Sequence, residues 1–175
     1  MKFAPIAAAL IATFALSACQ ETPSETREDV AEARAEAREE VADARRDASE
    51  TYAETSKDVA EARREAGEEY ADEAHDASDD MRDASTALNE AGREANEKVA
   101  EARADAMEKR ADARYELLVA EAKGQRTVAM EKCDALTGDT KDSCENKAEA
   151  EYEARVARAE ADRTAAHDAA ERKDS

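Results

Sequence analysis

The sequence predicts an all-α, coiled-coil-like protein. A very long amphipathic helix is followed by a helical hairpin with a second, antiparallel helix, and there is no globular core. Three observations carry this expectation. First, a 29-residue unit repeats in tandem: Val30-Ala31-Glu32-Ala33-Arg34 returns as Val59-Ala60-Glu61-Ala62-Arg63, and about half of the positions in 30–58 and 59–87 are identical. Second, the larger apolar residues stand at Val30, Val41, Tyr52, Val59, Tyr70, Met81, Leu88 and Val99, in steps of 11, 11, 7, 11, 11, 7 and 11. Third, 41% of residues are charged and 3% aromatic, and both Phe and both Ile lie within the first 20 positions, so the remainder cannot fill a compact core.

The spacing translates directly into helix geometry. Eleven residues make about three turns and seven about two, so the 11-11-7 unit repeats at roughly 3.63 residues per turn, close to the 3.6 of a straight α-helix. The apolar stripe therefore drifts by only about 20° per unit, and a nearly straight or weakly supercoiled helix is expected. The stripe is thin, because alanines such as Ala42, Ala44, Ala48, Ala60, Ala62 and Ala66 flank each large residue. Alanine is the strongest helix former but buries little area. Asp43 with Arg46, Glu61 with Arg64, Glu90 with Arg93, Glu94 with Lys98 and Asp105 with Lys109 stand at supporting spacings. Read as one continuous element, the chain up to Gly138 would extend roughly 165 Å.

Taken from its start, the chain opens with Lys2, an apolar run from Ile6 to Leu16, and then Leu16-Ser17-Ala18-Cys19. The run is too short to span a bilayer comfortably and reads as an export leader. The four residues ending at Cys19 resemble the lipobox of bacterial lipoproteins. That resemblance implies cleavage before Cys19 and acylation of its thiol and new amino group, which makes Cys19 a lipid-anchored first residue. Gln20 follows, where an Asp would alter sorting in that family, so the resemblance also implies an outer-membrane location facing the periplasm. The alternative is an ordinary secretory leader with an incidental Cys19.

A polar tether follows, in which Ser24 or Thr26 is expected to cap the helix, with Glu28 and Asp29 at its positive end. No proline occurs after Pro23. Gly67 and Gly92 are soft points or close-contact sites, and Gly124-Gln125 a place where the helix kinks or frays. The chain thus divides into a leader at 1–18, the Cys19 anchor and tether at 19–26, a repeat-built helix at 27–114, and a hairpin at 115–175.

Within 115–175, Gly138 is a helix-stop signal, and Asp139 or Thr140 starts the next helix. The second helix is expected over about 142–170, with Cys144, Ala148, Tyr152, Val156 and Ala159 on one face. A reversal at Gly138 sets Cys133 opposite Cys144, and the Tyr115–Val119 cluster opposite roughly 159–162. An oxidising compartment and the even cysteine count left after Cys19 favour a Cys133–Cys144 disulfide, with about 2–3 kcal/mol from closing the loop. A redox-active pair, or a metal site with His75 or His167, lacks the usual spacing. Residues 131–151 also resemble a Cys-Asp-Ala-Leu…Gly…Lys-Asp…Cys hairpin of uncharacterised, Ala/Glu-rich proteobacterial envelope proteins, some loosely termed TolA-like. That resemblance implies architecture and location, without an activity.

No nucleophile–base pair, phosphate-binding loop or His cluster appears, so no enzyme activity and no cofactor or metal are expected. His75 and His167 read as solvated surface residues, and Asp76, Asp79, Asp80 and Asp83 as a solvated acidic face rather than a cation site. The net charge of −19 disfavours nucleic acid as a partner. The partners expected are the membrane through Cys19, a second copy along the Ala-rich stripe, and a cationic or envelope protein. The overall design is similar to the Braun-type murein lipoprotein, but Asp174 and Ser175 follow Lys173, where that family ends in the lysine joined to peptidoglycan. The 11-residue, Ala-rich spacing is also similar to late-embryogenesis-abundant proteins, which implies a stress protectant as the alternative to an envelope spacer or interaction protein.

Overall fold

A computed structural model describes residues 22–76 and 81–174. It is all-α. Helix α1 runs Pro23–Asp76, α2 Met81–Asp134 and α3 Asp139–Asp174. Helices α1 and α2 lie side by side, as do α2 and α3, while α1 and α3 do not meet among the described residues. Both pairs are antiparallel. Arg45 reaches Glu121 at 2.9 Å and Glu40 reaches Lys123 at 2.7 Å, so as numbers rise along α1 they fall along α2. Arg126 with Glu149 at 2.5 Å and Asp112 with Arg163 at 2.7 Å set the same sense for α2 and α3. The molecule is a three-helix array with α2 in the middle.

The expected fold class holds, closing hairpin included. The repeat-built stretch 27–114, however, is covered by two helices and not by one. The reason lies in what the stripe offers. A ridge of alanines along 54 residues leaves each helix an apolar strip with nothing to cover it, and a second copy of the strip on the same chain is the nearest cover.

The seam is made of small residues at hendecad spacing. On α1, Ala33, Thr55 and Ala66 are buried, separated by multiples of eleven. On α3 the buried residues are Ala148, Ala159 and Ala170, again eleven apart. The central helix carries two such rows. Ala113 and Gly124 form one, with Gly124 against α1; Ala122 and Cys133 form the other, with Cys133 bonded to α3. The larger residues of the expected stripe sit at the seam's edge: Val30 is buried, but Tyr52 and Tyr70 are 42% and 44% exposed. Close helix approach needs small side chains in the contact, which moves the bulky ones outward.

Gly124 shows how close the approach is. Helix α2 is continuous through it, without the expected kink, and a Cβ built there would lie 2.7 Å from the Ala37 Cβ. A Cβ built at Gly92 would meet the Tyr70 ring at an ordinary 3.5 Å, and one at Gly67 would face open space.

The N-terminus of α1 is capped by Thr22, two residues before Ser24 and four before Thr26, the expected caps. Thr22 Oγ1 and the Thr22 N–H both donate to Glu25 Oε2 at 2.8 Å, and the Glu25 N–H donates back to Thr22 Oγ1 at 3.4 Å. This is a capping box with Pro23 in the first helical position, where its missing N–H costs nothing. The two bonds from Thr22 hold the Glu25 carboxyl below its ordinary pKa.

Two measurements follow. Gly67→Ala should raise the thermal midpoint by a few degrees, since an exposed helical Gly costs about 1 kcal/mol relative to Ala. Gly124→Ala should lower it despite the same propensity gain, because neither Cβ of the facing pair can move aside. Small-angle scattering should give a longest dimension near 80–90 Å, the length of one 54-residue helix. A value near the roughly 165 Å of a single continuous helix would show that α1 and α2 do not pair.

Candidate functional site

The hairpin tip is built by the residues that the sequence marks for it. Helix α2 ends at Asp134, the Leu136 N–H bonds to the Cys133 carbonyl at 2.8 Å, and Gly138 turns the chain with a φ of +56°. That left-handed conformation suits glycine. The Lys141 and Asp142 N–H groups then bond to the Gly138 carbonyl at 2.9 and 3.2 Å as α3 begins. Cys133 and Cys144 are joined, with their Cα atoms 5.6 Å apart. Cys133 is fully buried, so its sulfur is shielded from attack as well as bonded. Lys141 Nζ lies 2.6 Å from Asp134 Oδ1, and that carboxylate holds Lys141 above its ordinary pKa. The second helix starts at Asp139, three residues before the expected 142, and Tyr115 lies against Arg163, one residue past the expected 159–162.

Below the tip, arginines clasp tyrosines across the helices. The Arg126 guanidinium stands 5.5 Å from the Tyr152 ring centre and bonds to Glu149. Reciprocally, Arg163 stands 5.2 Å from the Tyr115 ring centre and bonds to Asp112 at 2.7 Å. Each clasp uses a carboxylate three residues before the tyrosine, so carboxylate and ring share a helix face. The tyrosine and the arginine on each helix are eleven residues apart, Tyr115 with Arg126 and Tyr152 with Arg163. A third clasp joins α1 and α2. Arg110 lies 5.4 Å from the Tyr52 ring centre and donates to Thr55 Oγ1 and Ser56 Oγ, each at 2.8 Å. Thr55 is almost wholly buried, and its hydroxyl also donates to the Thr51 carbonyl at 2.8 Å, so no polar group is stranded. For the two α2–α3 clasps the Tyr-to-Arg spacing of eleven was the signal in the sequence; it is invisible while tyrosine and arginine are read as belonging to separate apolar and charged faces.

The expected surface pairs survive in part. Asp43–Arg46, Glu61–Arg64 and Asp105–Lys109 form. Arg93 instead turns to Glu97, and Lys98 crosses to Glu69 on α1, whose carboxylate raises the Lys98 pKa.

His75 is exposed in the last turn of α1. His167 is not the solvated surface residue expected. Its side chain is 31% exposed, and its Nε2 stands 3.0 Å from the Asp112 oxygen that Arg163 also uses. Asp112 is thus shared by Arg163 and His167, and the three side chains tie α2 to α3. Partial burial pushes the Asp112 pKa up, but the hydrogen bonds from Arg163 and His167 outweigh it and hold the carboxyl below its ordinary value. Cys19 and the lipobox lie outside the described residues, as do the side chains of Asp76, Asp79, Asp80 and Asp83. Among the described residues no group of three His, Cys, Asp or Glu is arranged to hold a metal ion, and no helix is long and apolar enough to cross a membrane.

Set against protein-family models, curated proteins and solved structures, the chain matches none of them.

The Asp112 node has a pH signature. A carboxyl whose pKa is lowered by folding contributes fully above its unfolded value near 4, and the contribution disappears as pH falls through the lower folded value. Asp112→Asn should therefore lower stability at neutral pH by about 1 kcal/mol or less, since the pair is partly exposed. The difference between variant and parent should shrink steadily below about pH 4, as read from denaturant midpoints at a series of pH values.

Proposed function

We propose that this chain is a non-enzymatic, lipid-anchored protein of the bacterial cell envelope. It is held at Cys19 in the outer membrane, facing the periplasm, and acts as a helical spacer and interaction surface. The observation that carries this reading is Leu16-Ser17-Ala18-Cys19 after a short apolar run. Three further features support it. Helix α1 starts at Pro23, four residues after Cys19, so a protein anchored there would rise from the bilayer almost at once. The disulfide suits an oxidising compartment. The acid-rich outer faces suit solvation and a cationic partner more than nucleic acid. An anchored α1–α2 pair would place the Gly138 end of the molecule near the membrane and the Asp76 end of α1 roughly 80 Å away, because α1 leads outward and α2 returns.

A second reading, an envelope stress protectant, is favoured by one observation: the hendecad, alanine-rich pattern recurs in all three helices with a shallow seam. A chain that buries so little stands near the boundary between folded and helical-on-demand. Circular dichroism in dilute buffer separates the two. High helicity with a cooperative thermal transition supports the spacer, and helix appearing only on drying or with lipid supports the protectant.

Labelling with a radioactive or clickable palmitate during expression in a Gram-negative bacterium tests the anchor. The chain should take up label and sediment with outer membranes, and Cys19→Ala should abolish both. Unlabelled protein in the soluble periplasmic fraction would remove the anchor from the reading.

A further inference from the structure

The net charge is −19, yet one groove of this molecule is rimmed by cations. It runs between α1 and α2 beside the Ala37–Gly124 contact, with a volume of about 890 Å3. Its floor is apolar, made by Ala37, Val41 and Val128. Arg34, Arg38, Arg45 and Arg46 stand along the α1 side and Lys132 at one end of the α2 side. Glu121 is the one carboxylate lining it, and Arg45 already holds that group at 2.9 Å. Arg46 is paired with Asp43. Arg34, Arg38 and Lys132 have no carboxylate partner among the described residues. Three positive side chains without a carboxylate partner among the described residues therefore line this apolar trough.

We propose that this groove binds a single-chain anionic amphiphile, a long-chain fatty acid. Its alkyl chain lies along Val41 and Val128, and its carboxylate sits between Arg34, Arg38 and Lys132. Each part of the site matches one part of that ligand. Guanidinium groups pair with carboxylates in a two-bond fork, which suits a compact anionic head. The volume falls within the range of small-molecule sites, and a cleft one helix-seam wide accepts one chain. The acidic remainder of the surface does not forbid an anion, because exposed charges beyond about 8 Å are largely screened at physiological ionic strength and the local rim dominates. The inference uses neither the anchor nor the location of the protein, so it stands or falls separately from them.

Calorimetric titration of the full, oxidised chain with oleate below its micelle concentration tests the site. One oleate per chain is expected. Arg34→Glu with Arg38→Glu should weaken binding by about tenfold or more while leaving helicity intact, since both side chains are exposed. Arg64→Glu with Arg93→Glu makes the same change in net charge away from the groove and should leave oleate binding unchanged. Oleyl alcohol, with the same chain and no charge, should bind more weakly than oleate. Absence of oleate binding, equal binding of the alcohol, or equal loss in both double variants would each overturn the assignment. So would a dimer of the parent chain that the Arg34/Arg38 variant converts to monomer, because the groove would then be filled by a second copy.

Discussion

Alanine and glycine recurring every eleven residues set the distance at which these three helices meet. Eleven residues close three turns with a small remainder, so one narrow face can stay small-residue over tens of ångströms without supercoiling strongly. Two such faces then pack with their backbones close, as the Ala37–Gly124 contact shows. Close backbones forbid large side chains in the seam. Val, Tyr, Leu and Met move to its flanks, where Tyr52 and Tyr70 are exposed and Leu117, Leu118 and Val119 are half-covered. The protein gives up most of the area that a leucine-lined seam would bury, and gains a long, thin, cooperative contact between strong helix formers.

Because the seam contributes little per turn, polar side chains at its edges carry more of the specificity. The three arginine–tyrosine clasps each combine a cation over an aromatic face with a directed hydrogen bond, so each works only in one register. The seam itself is nearly invariant to a shift of eleven residues; the clasps are not. Arg110 fixes α2 against α1 through Thr55, and Arg126 and Arg163 fix α3 against α2 in reciprocal fashion. The Cys133–Cys144 bond adds a covalent pin at the turn, and its placement agrees with the register that the clasps select.

Much of this was legible in residue order. Gly138 with its flanking polar residues announced the turn, the Cys pair announced its closure, and the position of Tyr115 opposite α3 followed from simple counting. The cap at Thr22 was also legible in principle, as a threonine three residues before Glu25 with proline between them, but Ser24 and Thr26 compete for the same role on residue type alone. His167 was not legible. Its environment is made by Asp112, 55 positions away, and no local pattern around a lone histidine distinguishes a clasped ring from a solvated one. The cationic groove was hidden for the same reason: Arg34, Arg38 and Lys132 are ordinary surface residues until α1 and α2 lie together.

The sequence by itself determined that the described chain is helical, where its hairpin turns, and which narrow face of each helix is apolar, because propensity, glycine conformation and periodicity are local properties. Only the tertiary structure decided that α1 lies against α2, so that the repeats form a pair and not a single shaft. A periodic strip specifies a surface to be covered without specifying what covers it. That choice depends on cross-helix bonds between residues that stand far apart in the chain.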